Sequence, residues 1–119
     1  PEYEIPASER VEIKVIQAAQ DETMTCERGD IVWIDYIGYI DLGSGAKKRF
    51  ETGSNFEFMV GAGDVIKGMD KGVLGAKLRE VRDVYIPSQM GYGKKGSGED
   101  LPPDSNLIFN IKIARIQKA

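Results

Sequence analysis

Apolar and polar residues alternate along most of this chain, and only one short stretch switches to helical spacing. That pattern restricts the fold to a sheet with a helix lying against it. Val11-Glu12-Ile13-Lys14-Val15 alternates apolar with charged residues and predicts a half-buried strand. Residues 31–41 predict a longer one, with Val32, Ile34, Tyr36 and Ile40 on one face and Trp33, Asp35 and Asp41 on the other. Gly43-Ser44-Gly45 ends that run in a loop. Phe56-Glu57-Phe58-Met59-Val60 restarts the alternation, and residues 78–86 and 105–116 predict two further strands. In the last of these, Leu107, Phe109, Ile111 and Ile113 share a face.

The exception is residues 64–73, where Val65, Met69 and Val73 recur every four positions with Ile66 beside them. Asp64 stands where a helix N-cap belongs. Gly68 and Gly72 make this short helix weak by itself, so it needs a sheet to rest on. The tight turn into it is assigned to Gly61-Ala62-Gly63. The expected fold is α+β, antiparallel, with the helix covering one sheet face.

A length of 119 residues suits one domain spanning 1–119, with 1–10 as an extended or flexible N-terminal segment. The formal charge of −3, with both signs mixed along the chain, argues against nucleic acid as a partner. Lys47, Lys48 and Arg49, and again Lys94 and Lys95, read as solvated loops. No apolar run approaches the roughly 20 residues that span a bilayer, and none reads as a signal peptide. Membrane association is therefore not expected.

Cys26 is the lone cysteine, so no internal disulfide forms and a cytoplasmic setting is expected. Its side chain reads as small and half-buried rather than reactive. The chain has no histidine, which removes Ser–His and Cys–His catalysis and most zinc sites. No metal or cofactor is expected.

Some motifs fail on context. Gly91-Tyr92-Gly93-Lys94-Lys95-Gly96 matches G-x-G-x-x-G, but Ser97-Gly98-Glu99-Asp100-Leu101-Pro102-Pro103 follows, where a nucleotide fold needs a helix. A P-loop needs lysine where Ser97 stands. Glu99-Asp100 reads as a solvated pair. The surrounding stretch, 88–104, is rich in glycine and lacks periodicity. A loop of that length in a compact domain is usually functional.

What remains is a set of aromatic and aliphatic residues at strand ends and in loops. Phe58, Val73 and Ile111 read as plain core. Tyr92 does not, because an aromatic in a glycine-rich loop needs a reason to be there. The order Tyr36-Ile37-Gly38, Phe50, Phe56-Glu57-Phe58, Gly63-Asp64-Val65-Ile66-Lys67-Gly68, Gly91-Tyr92-Gly93, Leu101-Pro102-Pro103 and Leu107-Ile108-Phe109 resembles the FKBP family of peptidyl-prolyl isomerases. The resemblance runs over roughly residues 28 to 116.

It implies a twisted antiparallel sheet wrapped around the short helix, with a shallow apolar pocket between them. The implied walls are Tyr36, Phe50, Phe56, Val65, Tyr92, Leu101 and Phe109. The implied carbonyl donors are the N–H of Ile66 and the hydroxyl of Tyr92. The implied partners are proline-containing peptides, unfolded proteins and the macrolides tacrolimus and rapamycin, bound by a monomer.

The chain departs from the family's pattern at particular positions. Met69 stands where most members have a tryptophan floor, and methionine defines shape less well than an indole. Glu51 replaces the usual aspartate after the first pocket phenylalanine. The stretch between Thr52 and Phe56 is short and lacks the accompanying arginine, and Arg79 holds a turn position often given to glycine. These differences predict isomerase activity with reduced macrolide affinity. The rival readings are a protein-binding module of the same fold with weak or no activity, and an unrelated small-ligand domain.

Overall fold

The computed structural model describes residues 5–19 and 24–119. Five antiparallel strands form one sheet in the order β1-β4-β5-β2-β3: β1 Glu12–Gln17, β2 Ile31–Gly43, β3 Ala46–Met59, β4 Val81–Ile86 and β5 Leu107–Gln117. A short helix, α1 (Lys67–Gly72), lies against β4. The α+β expectation holds, and the sequence reason is visible in β2 and β5. Val32, Ile34 and Ile40 are buried on β2, and Leu107, Phe109, Ile111 and Ile113 are buried on β5. These join Phe58, Val60, Val73, Val84 and Ile86 in one continuous core. Phe58, Val73 and Ile111 are core residues, as expected.

Trp33 lies half-buried on the outer face, with the Arg115 guanidinium 4.5 Å from its ring centre. That stacked cation shields an indole that the core does not take.

The helix is shorter than its spacing predicts. Its regular part starts only at Lys67, the cap position is Ile66, and no side chain caps it. Asp64 instead accepts the N–H of Met59 at 3.2 Å, closing the turn that leads from β3. The carboxylate that holds this turn to the helix belongs to Asp70, which accepts from Gly61 at 2.9 Å and Gly63 at 3.0 Å. Both glycines have left-handed backbones, as a tight strand-to-helix turn requires.

Gly68 and Gly72 weaken the helix in isolation but are what let it reach the sheet. Both are buried, and a methyl group on Gly72 would sit 2.5 Å from Val84, while one on Gly68 would run into Ile86. Arg82, buried on β4, then closes the helix end. Its Nη1 donates to the carbonyls of Gly72 at 3.0 Å and Leu74 at 3.3 Å, and its Nε pairs with buried Glu80. A guanidinium at a helix C-terminus satisfies free carbonyls and meets the negative end of the dipole.

Three expectations need correcting. First, β1 is exposed along its whole length, with Ile13, Val15 and Ile16 each at least two-fifths accessible. It sits at the sheet edge beyond α1, so alternation there marks a pleat without a burying partner. Second, the third strand begins at Ala46 rather than Phe56, which places Lys47, Lys48, Arg49 and Phe50 on a strand instead of a loop. Ser44 and Gly45, both at positive φ, form the two-residue hairpin turn before it. Third, Cys26 is fully buried, with 1% of its surface accessible.

The stretch between Thr52 and Phe56 stays within β3. Ile34 pairs with Phe56 and Tyr36 with Gly53, so Asp35 faces both Ser54 and Asn55 across a bulge. Asp35 accepts the N–H of Asn55 at 2.8 Å. Arg79 adopts a left-handed backbone (φ 69°), the conformation glycine usually supplies. Its N–H donates to the Ile113 carbonyl at 2.8 Å.

Candidate functional site

An apolar concavity of about 310 Å³ opens between α1 and the sheet, lined by Tyr36, Glu51, Phe56, Asp64, Val65, Ile66, Met69, Tyr92 and Phe109. Local structure explains each placement. Tyr36 and Phe109 lie on neighbouring central strands and project to the same side, with ring centres 5.8 Å apart. Phe56 meets Tyr36 edge-on at 5.9 Å and remains 40% exposed, so it forms the rim. The Asp35-stabilised bulge sets this arrangement, because it shifts the register just before Phe56. Val65 and Ile66 arrive from the turn ahead of α1, and Met69 follows on its first turn with 4% exposure. Met69 therefore sits at the base, between helix and sheet.

Close packing around the aromatic rings depends on two glycines. A methyl group on Gly38 would lie 2.8 Å from the Phe109 ring and 3.2 Å from that of Phe50. One on Gly53 would collide with Tyr36. Neither glycine has positive φ; the requirement is space, not backbone conformation.

The polar groups are few. The Glu51 carboxylate stands beside the Tyr36 hydroxyl. Burial, then the Glu51 charge, pushes the Tyr36 and Tyr92 phenols above their ordinary range, so both remain protonated donors. Among the described residues, no acceptor takes the Tyr92 hydroxyl or the N–H of Ile66. Both are open to a ligand carbonyl. No group of three His, Cys, Asp or Glu side chains among the described residues is placed to hold a metal ion.

Of the residues expected from sequence, Tyr36, Glu51, Phe56, Val65, Ile66, Met69, Tyr92 and Phe109 come together at this concavity. Phe50 and Leu101 do not line it. Phe50 lies beside it, half-buried, its ring edge-on to Phe109 at 5.9 Å. Leu101 is buried in the core at 1% exposure, where it anchors the 88–104 loop through a bridge with Ser97. Asp64 was assigned only a capping role by its sequence position, yet it lines the rim. The signal was its place beside Val65 and Ile66, in a turn that must face the same opening.

A sheet folded over a short helix, with a largely aromatic hollow between them, is the setting in which the chain's relatives are compared. The description "FKBP-type peptidyl-prolyl cis-trans isomerase" matches residues 22–114, and the chain belongs to this family. It is an isomerase by that membership.

Its relatives bear this out. FK506-binding protein 2 of Dictyostelium discoideum is 37% identical over 109 residues, covering 92% of this chain and 82% of that protein. FK506-binding protein 2 of Kluyveromyces lactis is 35% identical, covering 89% and 76% respectively. FK506-binding protein 1A of Neurospora crassa is 35% identical, covering 95% and 93%.

Proposed function

We propose that this protein speeds folding by isomerising X-Pro bonds in the hollow between α1 and the sheet, using Tyr36, Phe56, Val65, Met69, Tyr92 and Phe109 as walls. The single observation behind this reading is that the hollow is aromatic and aliphatic, yet keeps two unengaged donors at its edge: the N–H of Ile66 and the hydroxyl of Tyr92.

Rotation about a prolyl bond faces a barrier of about 18–20 kcal/mol from amide resonance and takes tens to hundreds of seconds unaided. At the midpoint the amide is twisted, conjugation is broken and charge separation falls. An apolar enclosure favours that less polar form over the planar one. Only binding that is stronger in the transition state accelerates the reaction. Preferential stabilisation by about 4 kcal/mol gives roughly a thousandfold. The reaction transfers no atom, so it requires no nucleophile or general acid. In this reading the Ile66 N–H and the Tyr92 hydroxyl hold the carbonyls that flank the bond while it turns. Phe50, Glu51 and Leu101 support the walls.

The same hollow takes the ring of tacrolimus or rapamycin, with affinity reduced by the flexible Met69 base. Met69 is also the observation favouring a second reading, a binding module of this fold with little isomerase activity. The protein acts as a monomer on unfolded, proline-containing chains, and its buried thiol suits the cytoplasm. Titrating a labelled prolyl peptide with tacrolimus tests the site. Competition, with amide shifts centred on Ile66, Tyr92 and Phe109, is expected; non-competitive binding, or shifts confined to other strands, would refute it.

A further inference from the structure

A second hollow, of about 390 Å³, adjoins the apolar one. Lys48, Arg49, Phe50, Glu51 and Thr52, consecutive along β3, line it together with Asp100 of the 88–104 loop. Glu51 lines both hollows. β3 is the last strand of the sheet and pairs only with β2, so one row of its backbone N–H and C=O groups is open beside this hollow. An extended peptide can add to such an edge as a further strand, drawing affinity from main-chain hydrogen bonds and specificity from side-chain contacts.

The charges along this edge differ in what they already hold. Glu51 faces the Tyr36 hydroxyl at the apolar end, where the two hollows meet. Lys47 is stacked on Tyr39, 4.2 Å from the ring centre. Lys48 and Arg49 are exposed and have no ion-pair or hydrogen-bond partner among the described residues. Asp100 offsets part of their charge without pairing to either. Two unengaged cations therefore stand on an open strand edge, next to a hollow shaped for a prolyl ring.

We infer that this edge is a subsite for the extended flank of the substrate, and that it favours a carboxylate side chain a few residues from the proline. The inference rests on the isomerase reading of the adjoining hollow. A peptide whose proline occupies the apolar hollow continues past Glu51 along 48–52, and its acidic side chain meets Lys48 or Arg49. Exposed pairs of this kind are worth little individually, so the preference is modest and sensitive to salt.

The test is exchange NMR on a neutral Ala-Leu-Pro-Phe peptide extended on either side with glutamate, glutamine or lysine, using the wild type and a Lys48→Glu/Arg49→Glu variant. For one of the two flanks, the wild type should turn over the glutamate peptide about three- to fivefold faster, by kcat/KM, than the lysine one. That difference should shrink in high salt. The variant should reverse the order while leaving the neutral peptide unchanged. Equal rates for all flanks with the neutral peptide still turned over, or an unchanged order in the variant, overturns the subsite alone. If the neutral peptide is not turned over, the isomerase reading fails by itself. Amide shifts of residues 48–52 on adding the glutamate peptide then decide the subsite: their presence supports it, their absence overturns it.

Discussion

Phe109→Ala separates the two roles that one residue has here, filling the core and walling the site. The ring is 2% exposed, lies 5.8 Å from Tyr36 and 5.9 Å from Phe50, and fills the space that Gly38 leaves open. Truncating a phenylalanine buried to this degree costs about 3–5 kcal/mol, from lost transfer energy plus the cavity left behind. Ile113→Ala serves as the control. Ile113 shares the strand and the face, is fully buried, and does not line the hollow. Its truncation costs about 2–5 kcal/mol.

Urea midpoints should therefore fall for both variants by similar amounts. Isomerase kcat/KM, measured well below the midpoint and per folded molecule, should fall only for Phe109→Ala. Loss of one aromatic wall removes on the order of 1–2 kcal/mol of differential binding, or roughly tenfold in rate. If both variants lose stability and both keep full activity once folded, Phe109 is core alone and the assigned wall is wrong.

Tyr92→Phe should weaken peptide and macrolide binding modestly, about threefold, without moving the urea midpoint, as calorimetry would show; loss of one hydroxyl donor costs about 0.5–1.5 kcal/mol. Met69→Trp should tighten tacrolimus binding, and an unchanged affinity would mean that residue 69 is not the base of the hollow. Cys26, pushed up to about 12 by burial, should resist a thiol reagent at pH 8 and react only when urea unfolds the protein.

Asp30 gives the acid limb of stability. Burial raises its pKa, but hydrogen bonds from the Lys118 amine and the N–H groups of Ala119 and Glu27 outweigh burial and hold it below the usual aspartate range. Because the folded value is depressed, its contribution is complete above the unfolded aspartate range and disappears as pH falls through the folded value. Asp30→Asn should flatten that limb in acid urea titrations. An unaltered pH dependence would count against the Asp30–Lys118 contact.

The central sheet was legible because β2 and β5 are packed against the core on one face, and burial of one face writes alternation into sequence. Val32, Ile34, Phe109 and Ile111 carry that signal directly. The first half of β3 was not legible. Lys47, Lys48 and Arg49 lie on an edge strand exposed on both faces, so nothing there selects apolar residues. The opposite error occurred at β1, whose apolar residues alternate without being buried.

Gly68 and Gly72 read as helix weakeners because propensity belongs to the isolated helix, whereas their use lies in contact with Val84 and Ile86. Arg82 occupies an inward position of β4, a place where charge looks wrong until Glu80 and the end of α1 are brought to it in three dimensions. Most of the site was readable because aromatics in turns and at strand ends are conspicuous. Phe50 and Leu101 fall beside and beneath the hollow, and residue type alone does not separate a wall from what supports it.

The most direct measurement is the rate of cis–trans exchange of an Ala-Leu-Pro-Phe peptide with and without the protein, read by NMR so that no coupling protease intervenes. The account predicts exchange accelerated in proportion to protein concentration and abolished by saturating tacrolimus. Exchange at the uncatalysed rate, with the peptide nevertheless bound in the hollow, would contradict it and leave a binding module in its place.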